Sequence, residues 1–296
     1  MVRLKGILMI VIGSMLWGAT GPLIEWILVN TKLSASFMLS LRLMVAGVAL
    51  LLFLKIKGEK ITLIWRQPYW SKQVILFSIF GMLGVQFAFV AAIKESNAVL
   101  ATLLQFLAPI FVVAFVSLRI KRWPPRYQLL GISGTLFGLF LLLTNASLDV
   151  LLISKEALIW GVVLGLTFAF YTLYPVRLMK EWGVLLVVGW GMFIGGVVIA
   201  SFNQIWKSGE WILLKDGKIV LLLAALIFFG TIAFLLFLGS MKYISPVETS
   251  ILSSVEPLTA MIISIFAFGT ILGVWQILGV ALMLVCVTYL SIAGEK

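Results

Sequence analysis

Apolar residues in this chain do not alternate with polar ones; they come in long runs separated by short polar gaps. Ten runs can be drawn, at about 5–29, 34–55, 73–93, 97–118, 127–144, 156–178, 184–205, 219–240, 246–268 and 272–292. Each is near the roughly 20 residues that an α-helix needs to cross the hydrocarbon core of a bilayer. A helix apolar on every face must lie among lipid or other helices. The pattern predicts an all-α integral membrane protein with ten transmembrane helices. The gaps are too short to hold a soluble module, so residues 1–296 read as one transmembrane domain. The first run follows Arg3 and Lys5 as the core of a signal peptide would. It reaches to about Val29, long enough to span, and is taken as the first membrane helix.

The runs also repeat. Residues 94–144 can be laid on residues 242–292 without a gap, which sets Lys94 on Lys242, Leu104 on Leu252, Pro109 on Pro257, Gln128 on Gln276 and Gly131 on Gly279. A proline inside a helix removes a backbone hydrogen bond, and its recurrence at one place in both segments marks two copies of one unit. Two five-helix repeats follow, 5–144 and 156–292, with helix kinks at Pro109 and Pro257. Five is odd, so the second repeat enters the membrane upside down. Inverted repeats with interrupted helices predict alternating access, with the substrate site where the copies meet.

Composition agrees: 62% of the residues are hydrophobic and 11% charged, against about half and a quarter in soluble domains. A net charge of +11 would also suit nucleic acid. In a membrane protein, basic residues instead collect in cytoplasmic loops. With the N-terminus inside, fifteen of the 22 lysines and arginines fall on the inner side, six outside, and Arg42 within the second helix. Both termini are therefore expected in the cytoplasm, in the cell membrane, with the lipid bilayer rather than nucleic acid as partner. There is no histidine and a single cysteine, Cys286. That leaves no disulfide within the chain, no Cys/His metal site and no histidine-based catalysis. No metal, cofactor or catalytic residue is expected.

Leu16-Trp17-Gly18 in the first helix, Ser40-Leu41-Arg42 in the second, Leu107-Ala108-Pro109-Ile110 in the fourth and Val255-Glu256-Pro257-Leu258 in the ninth resemble the EamA family of the drug/metabolite transporter superfamily. Each segment is weak alone; their order across both halves carries the likeness, which covers the whole chain. The resemblance implies secondary transport of small metabolites, often amino-acid export, through a central cavity bounded mainly by helices 1, 3, 4, 6, 8 and 9. Drug-like or nucleotide-sugar cargo is the alternative. A bulky anionic nucleotide calls for several cations, and only Arg42 lies at membrane depth. A sensor without transport would usually carry a soluble output domain.

A charge at the centre of a membrane helix costs about 2.5–3.5 kcal/mol on insertion scales, so Glu25, Arg42, Glu248 and Glu256 each need a reason. Glu256 lies mid-run beside Pro257, whose missing N–H loosens the carbonyl of Ser253. A carboxyl there can bind a substrate amine or carry an exchangeable proton, which makes Glu256 the expected binding and proton-coupling residue. Locking helices together is its structural alternative. Its repeat counterpart is Ala108, so the copies are chemically unequal. Glu25 and Arg42 lie at matching depths in helices one and two, which predicts an ion pair near the outer rim. An outer gate or a clamp for a substrate carboxylate is the alternative. Glu248 reads as a first-turn acidic residue suited to the helix dipole.

Thr249, Ser253, Glu256 and Thr259 recur at helical spacing and share a face, echoed by Thr102 and Gln105 in the fourth helix. Small residues also let helices pack closely. Ser253 and Gln105 join the expected substrate-binding set, as does Gln86, which small-residue packing does not explain. Trp17, Tyr171 and Tyr174 complete it, because they accompany Gly18, Thr20 and Pro22, or Thr167, Thr172 and Pro175, at corresponding positions of the two halves. An apolar cavity with a few polar groups suits an amphipathic organic solute. The second copy is expected to supply most of that polarity.

Overall fold

Each of the ten runs is helical in the computed structural model, which describes all residues except 1, 97, 106, 148–153, 269–272 and 294–296. The first half consists of α1 (Val2–Asn30), α2 (Ala35–Ile56), α3 (Pro68–Leu76), α4 (Gly84–Glu95), α5 (Ala98–Gln105), α6 (Ala108–Ile120) and α7 (Arg126–Thr144). The second consists of α8 (Lys155–Leu173), α9 (Val176–Trp182), α10 (Val184–Phe202), α11 (Gly217–Ser240), α12 (Pro246–Leu252), α13 (Val255–Phe268) and α14 (Val274–Ala293). No strand occurs among the described residues. Among the described residues, six helical spans are long and apolar enough to cross a bilayer: Val2–Asn30, Ala35–Ile56, Pro68–Glu95, Lys155–Trp182, Val184–Phe202 and Gly217–Ser240. The protein is an all-α integral membrane protein of ten spans in two inverted five-helix repeats.

Departures from straight helices have local causes. In the fourth span the helix stops at Gln105 and restarts at Ala108, with Pro109 in the new first turn, where a missing N–H costs nothing. In the ninth it stops at Leu252 and restarts at Val255, just before Pro257. Both gaps are bridged by tighter i→i−3 bonds, Leu107 N–H to the Leu104 carbonyl at 3.1 Å and Glu256 N–H to the Ser253 carbonyl at 2.9 Å. The sixth span breaks likewise at Pro175, between α8 and α9. Pro22 lies inside α1 without ending it. The third span starts at Pro68, earlier than its apolar run suggests, and carries a π-helical segment, Phe77–Leu83, between α3 and α4.

The two halves interlock reciprocally. α1 packs on α11 and α13, and α8 packs on α4, α5 and α6. The first span of each half thus lies against the third and fourth of the other. Second spans meet each other (α2 on α10), as do fifth spans (α7 on α14). At the α2–α10 crossing the backbone of Phe193 comes against Gly47, and that of Met44 against Gly196. These two contacts exchange with one another under a two-fold rotation. At the α7–α14 crossing, Met283 meets Gly138 and Leu142 meets Gly279, close approaches that lie one heptad off the register that sets Gly131 on Gly279. Missing Cβ atoms let helix backbones approach closely where no hydrophobic drive operates between them.

Candidate functional site

Interrupted helices bring their breaks together at the centre. Gln105, the last residue of α5, donates from Nε2 to Oε2 of Glu256, in the first turn of α13, at 3.1 Å. This hydrogen bond joins the two copies at the points where their backbones are loosened. It borders a cavity of about 40 Å³ lined by Trp17, Thr20, Ile24, Arg42, Val85, Gln86, Phe89, Val90, Gln105, Phe168, Phe234 and Glu256. At roughly 10–15 Å³ per water, that is room for about three waters. The lining comes from spans one, three, four, six, eight and nine, as the resemblance implied, with span two added through Arg42.

Two ionisable side chains, one basic and one acidic, face this space. Arg42 is 5% exposed and Glu256 6% exposed. Arg42 makes no ion pair or hydrogen bond to a side chain or backbone group among the described residues. Its guanidinium instead lies over the ring of Phe234, 5.8 Å from the centroid. The expected Glu25–Arg42 ion pair is therefore not formed. Half-buried Glu25 has no ionic partner among the described residues, and Arg42 points past α1 to α11. Gln86 donates from Nε2 to the Met82 carbonyl at 3.3 Å and leaves its buried Oε1 without a partner. Thr20 donates to the carbonyl of Trp17 at 2.8 Å, one turn before Pro22.

An aromatic layer walls one side of the cavity. Trp17 lies edge-on to Phe234 at 4.8 Å between centroids, and within 5.1–6.3 Å of Phe237, Phe168 and Tyr171. Tyr171 belongs to this layer and not to the lining; its hydroxyl is buried without a partner. Tyr174 stacks on Phe170 at 4.4 Å, away from the cavity. Ser253 is buried and donates to the Ser250 carbonyl at 2.8 Å, also away from it. Of the seven expected binding residues, Trp17, Gln86, Gln105 and Glu256 meet at the cavity, while Tyr171, Tyr174 and Ser253 do not. Among the hydroxyls of the ninth span, Thr249 pairs with Ser240 of α11 at 3.2 Å and Thr259 donates to the Val255 carbonyl at 3.3 Å, while those of Ser250 and Ser254 are buried without a partner; none lines the cavity. Cavity polarity therefore comes mainly from the first copy, through Thr20, Arg42, Gln86 and Gln105, and only Glu256 comes from the second. Phe168 and Phe234 carry no mark in the sequence, because an apolar residue within an apolar run looks like every other.

Glu248 does more than favour a helix dipole. Its Oε1 accepts from Arg3 at 2.8 Å, joining the start of α1 to the start of α12. Its Oε2 accepts from the Ser245 N–H at 2.9 Å, while Ser245 caps the Glu248 N–H in return. This reciprocal capping box fixes the first turn of α12.

A duplicated helical bundle with broken helices meeting at a central polar cavity is the architecture of a polytopic membrane transporter. The chain belongs to the EamA-like transporter family, whose model matches residues 4–144 and 155–292. It is 35% identical over 99% of its length to an uncharacterized inner membrane transporter of Salmonella typhimurium, YicL, covering 97% of that protein. It is 25% identical to the uncharacterized transporter YwfM of Bacillus subtilis, over 98% of this chain and 94% of the other. A solved structure, described only as the crystal structure of a protein, superposes with a TM-score of 0.74 at 17% identity over 100% of this chain and 99% of that one, which bears on the fold alone.

Proposed function

We propose that this transporter exports amino acids or closely related zwitterionic solutes across the cytoplasmic membrane by alternating access, with both termini in the cytoplasm. One observation carries the reading: an unpaired Arg42 guanidinium and the Glu256 carboxyl group face one small, buried cavity. An isolated buried cation is costly. A ligand carboxylate on Arg42 and a ligand ammonium on Glu256 would satisfy both charges at once, and Gln86 Oε1 offers a further acceptor. A bulky polyanion fits poorly, since Arg42 is the single cation of the lining. With room for only a few waters, the helices must part to admit a solute. The reciprocal packing of the two copies supplies two equivalent ways of parting.

Glu256 is the carboxylate able to exchange a proton for the substrate amine. Uptake into proteoliposomes with a panel of labelled amino acids, with and without a pH gradient, tests this. One carboxylate carries at most one proton per cycle, and exchanging a proton for a zwitterion moves one net charge, so with the membrane potential clamped at zero a gradient of one pH unit drives about tenfold accumulation. Glu256→Gln should abolish that accumulation while leaving passive equilibration. Wild-type accumulation in Glu256→Gln would refute the coupling role. A panel without any transported amino acid would refute the cargo.

A further inference from the structure

Arg42 is held by a helix that the charge pattern alone does not implicate. Its side chain leaves α2 and ends against α11. There, a Cβ built on Gly230 would overlap Nη2 and lie 3.1 Å from both Cζ and Nε. One turn further along α11, the ring of Phe234 lies under the guanidinium at 5.8 Å. Residues four apart share a helix face, so Gly230 and Phe234 form a notch and a shelf on the side of α11 turned toward the cavity. Phe234 is itself fixed from the other side by Trp17, edge-on at 4.8 Å, and by Tyr171 at 5.7 Å. A desolvated guanidinium on an aromatic face is attracted to the ring without using its N–H groups. Its donors thus have no protein hydrogen-bond partner among the described residues, and those turned away from Gly230 are open to a carboxylate, which accepts two N–H groups in parallel.

We propose that Gly230 and Phe234 are positioning residues that seat the Arg42 guanidinium beside the cavity, and that this seat sets the preference for a solute bearing a carboxylate. The proposal rests on the amino-acid reading above and deepens it. Any side chain at Gly230 pushes the guanidinium out of its notch. Loss of the ring at 234 leaves the notch but removes the shelf. Either change weakens carboxylate recognition and leaves the amine end at Glu256 in place.

The test is competition in proteoliposome uptake, using a transported amino acid and the corresponding amine that lacks the carboxylate. Wild type should favour the amino acid. Gly230→Ala and Phe234→Leu should each raise its KM by roughly tenfold, with kcat within about twofold and inhibition by the amine unchanged. Phe234→Tyr, which keeps the aromatic face, should recover most of the loss seen in Phe234→Leu. Equal weakening toward the amine, or an unchanged KM in both variants, overturns the seat. A double-mutant cycle of Arg42→Met and Phe234→Leu, read by thermal unfolding in detergent, needs no substrate. Its combined shift should fall short of the sum of the single shifts by about 2 °C or more. If wild type moves no amino acid, the cargo reading fails and the cycle alone decides the seat; additive shifts then overturn it.

Discussion

Replacing Gly47 with alanine should loosen the crossing of α2 and α10. An added Cβ would lie 2.7 Å from Phe193 Cα and 2.8 Å from Phe193 Cβ, with the Phe193 backbone nitrogen closer still. Ordinary contact begins at 3.4 Å, so the helices must part by more than the roughly 0.7 Å that Cα alone would require. The obstacle is backbone, which no side-chain rotation relieves. Overpacking of this kind costs about 1–3 kcal/mol, equivalent to a melting temperature lower by roughly 2–10 °C. Gly196→Ala meets Met44 N and Cγ at 2.7 Å from the opposite side and should cost a similar amount. Once one substitution has parted the helices, the second has less to displace, so the double variant should lose less than the two losses summed. Thermal unfolding in detergent measures all three. Gly209→Ala, with nothing within 4 Å, is the control. Arg42 lies five residues before Gly47 on α2, so uptake should fall along with stability. Melting within 1 °C of wild type in both single variants would refute the reciprocal close approach at this crossing.

The tie between Arg3 and Glu248 is part-exposed, at 22% and 12% for the two side chains, so Arg3→Ala should cost about 1 kcal/mol, less at high salt. Glu248→Ala loses the tie and the capping bond to Ser245 together and should cost about twice as much in a denaturation series; equal losses would contradict the shared carboxylate. Tyr171→Phe removes a buried hydroxyl that has no partner and keeps every ring contact. It should leave KM within about twofold and stability equal or higher by up to about 1 kcal/mol; a tenfold rise in KM would return Tyr171 to the substrate site.

Sequence periodicity located the spans and the proline-linked breaks because both depend on backbone hydrogen bonding, which the chain encodes locally. It located Glu256, Gln105 and Gln86 because an uncompensated polar group in a membrane helix stands out against its neighbours. It failed where rotation about a helix axis decides the outcome. Equal depth placed Glu25 and Arg42 at one level, but depth carries no azimuth, and Arg42 faces α11. Ser253 and Glu256 share a face only on a continuous helix; the tight turn between Leu252 and Val255 resets the phase and turns Ser253 away. The π-helical segment Phe77–Leu83 has no proline to announce it. It lies where Gly81 meets Phe77 and Tyr171, so its signal is tertiary packing rather than local propensity.

What the duplication shares is therefore a scaffold, and what it does not share is chemistry. The glycine contacts at the α2–α10 crossing are reciprocal, as are the packing partners of α1 and α8. Both breaks are followed by a proline. By contrast, Glu256 has Ala108 as its counterpart, and Glu248, which ties α12 to Arg3, has Leu100. Under the alternating access proposed above, a symmetric scaffold on its own would make its two closed arrangements equal in energy. An ion pair and capping box at one end, without an acidic residue at the equivalent place in the other copy, would then stabilise closure at the Arg3 end. Trp17, Phe168, Phe234 and Phe237 add aromatic contact beneath the cavity. The small cavity beside an aromatic layer and an intact Arg3–Glu248 tie fits the arrangement that such an imbalance would favour. A change that weakens either contact should move the population toward the other arrangement, without any change in what the cavity binds.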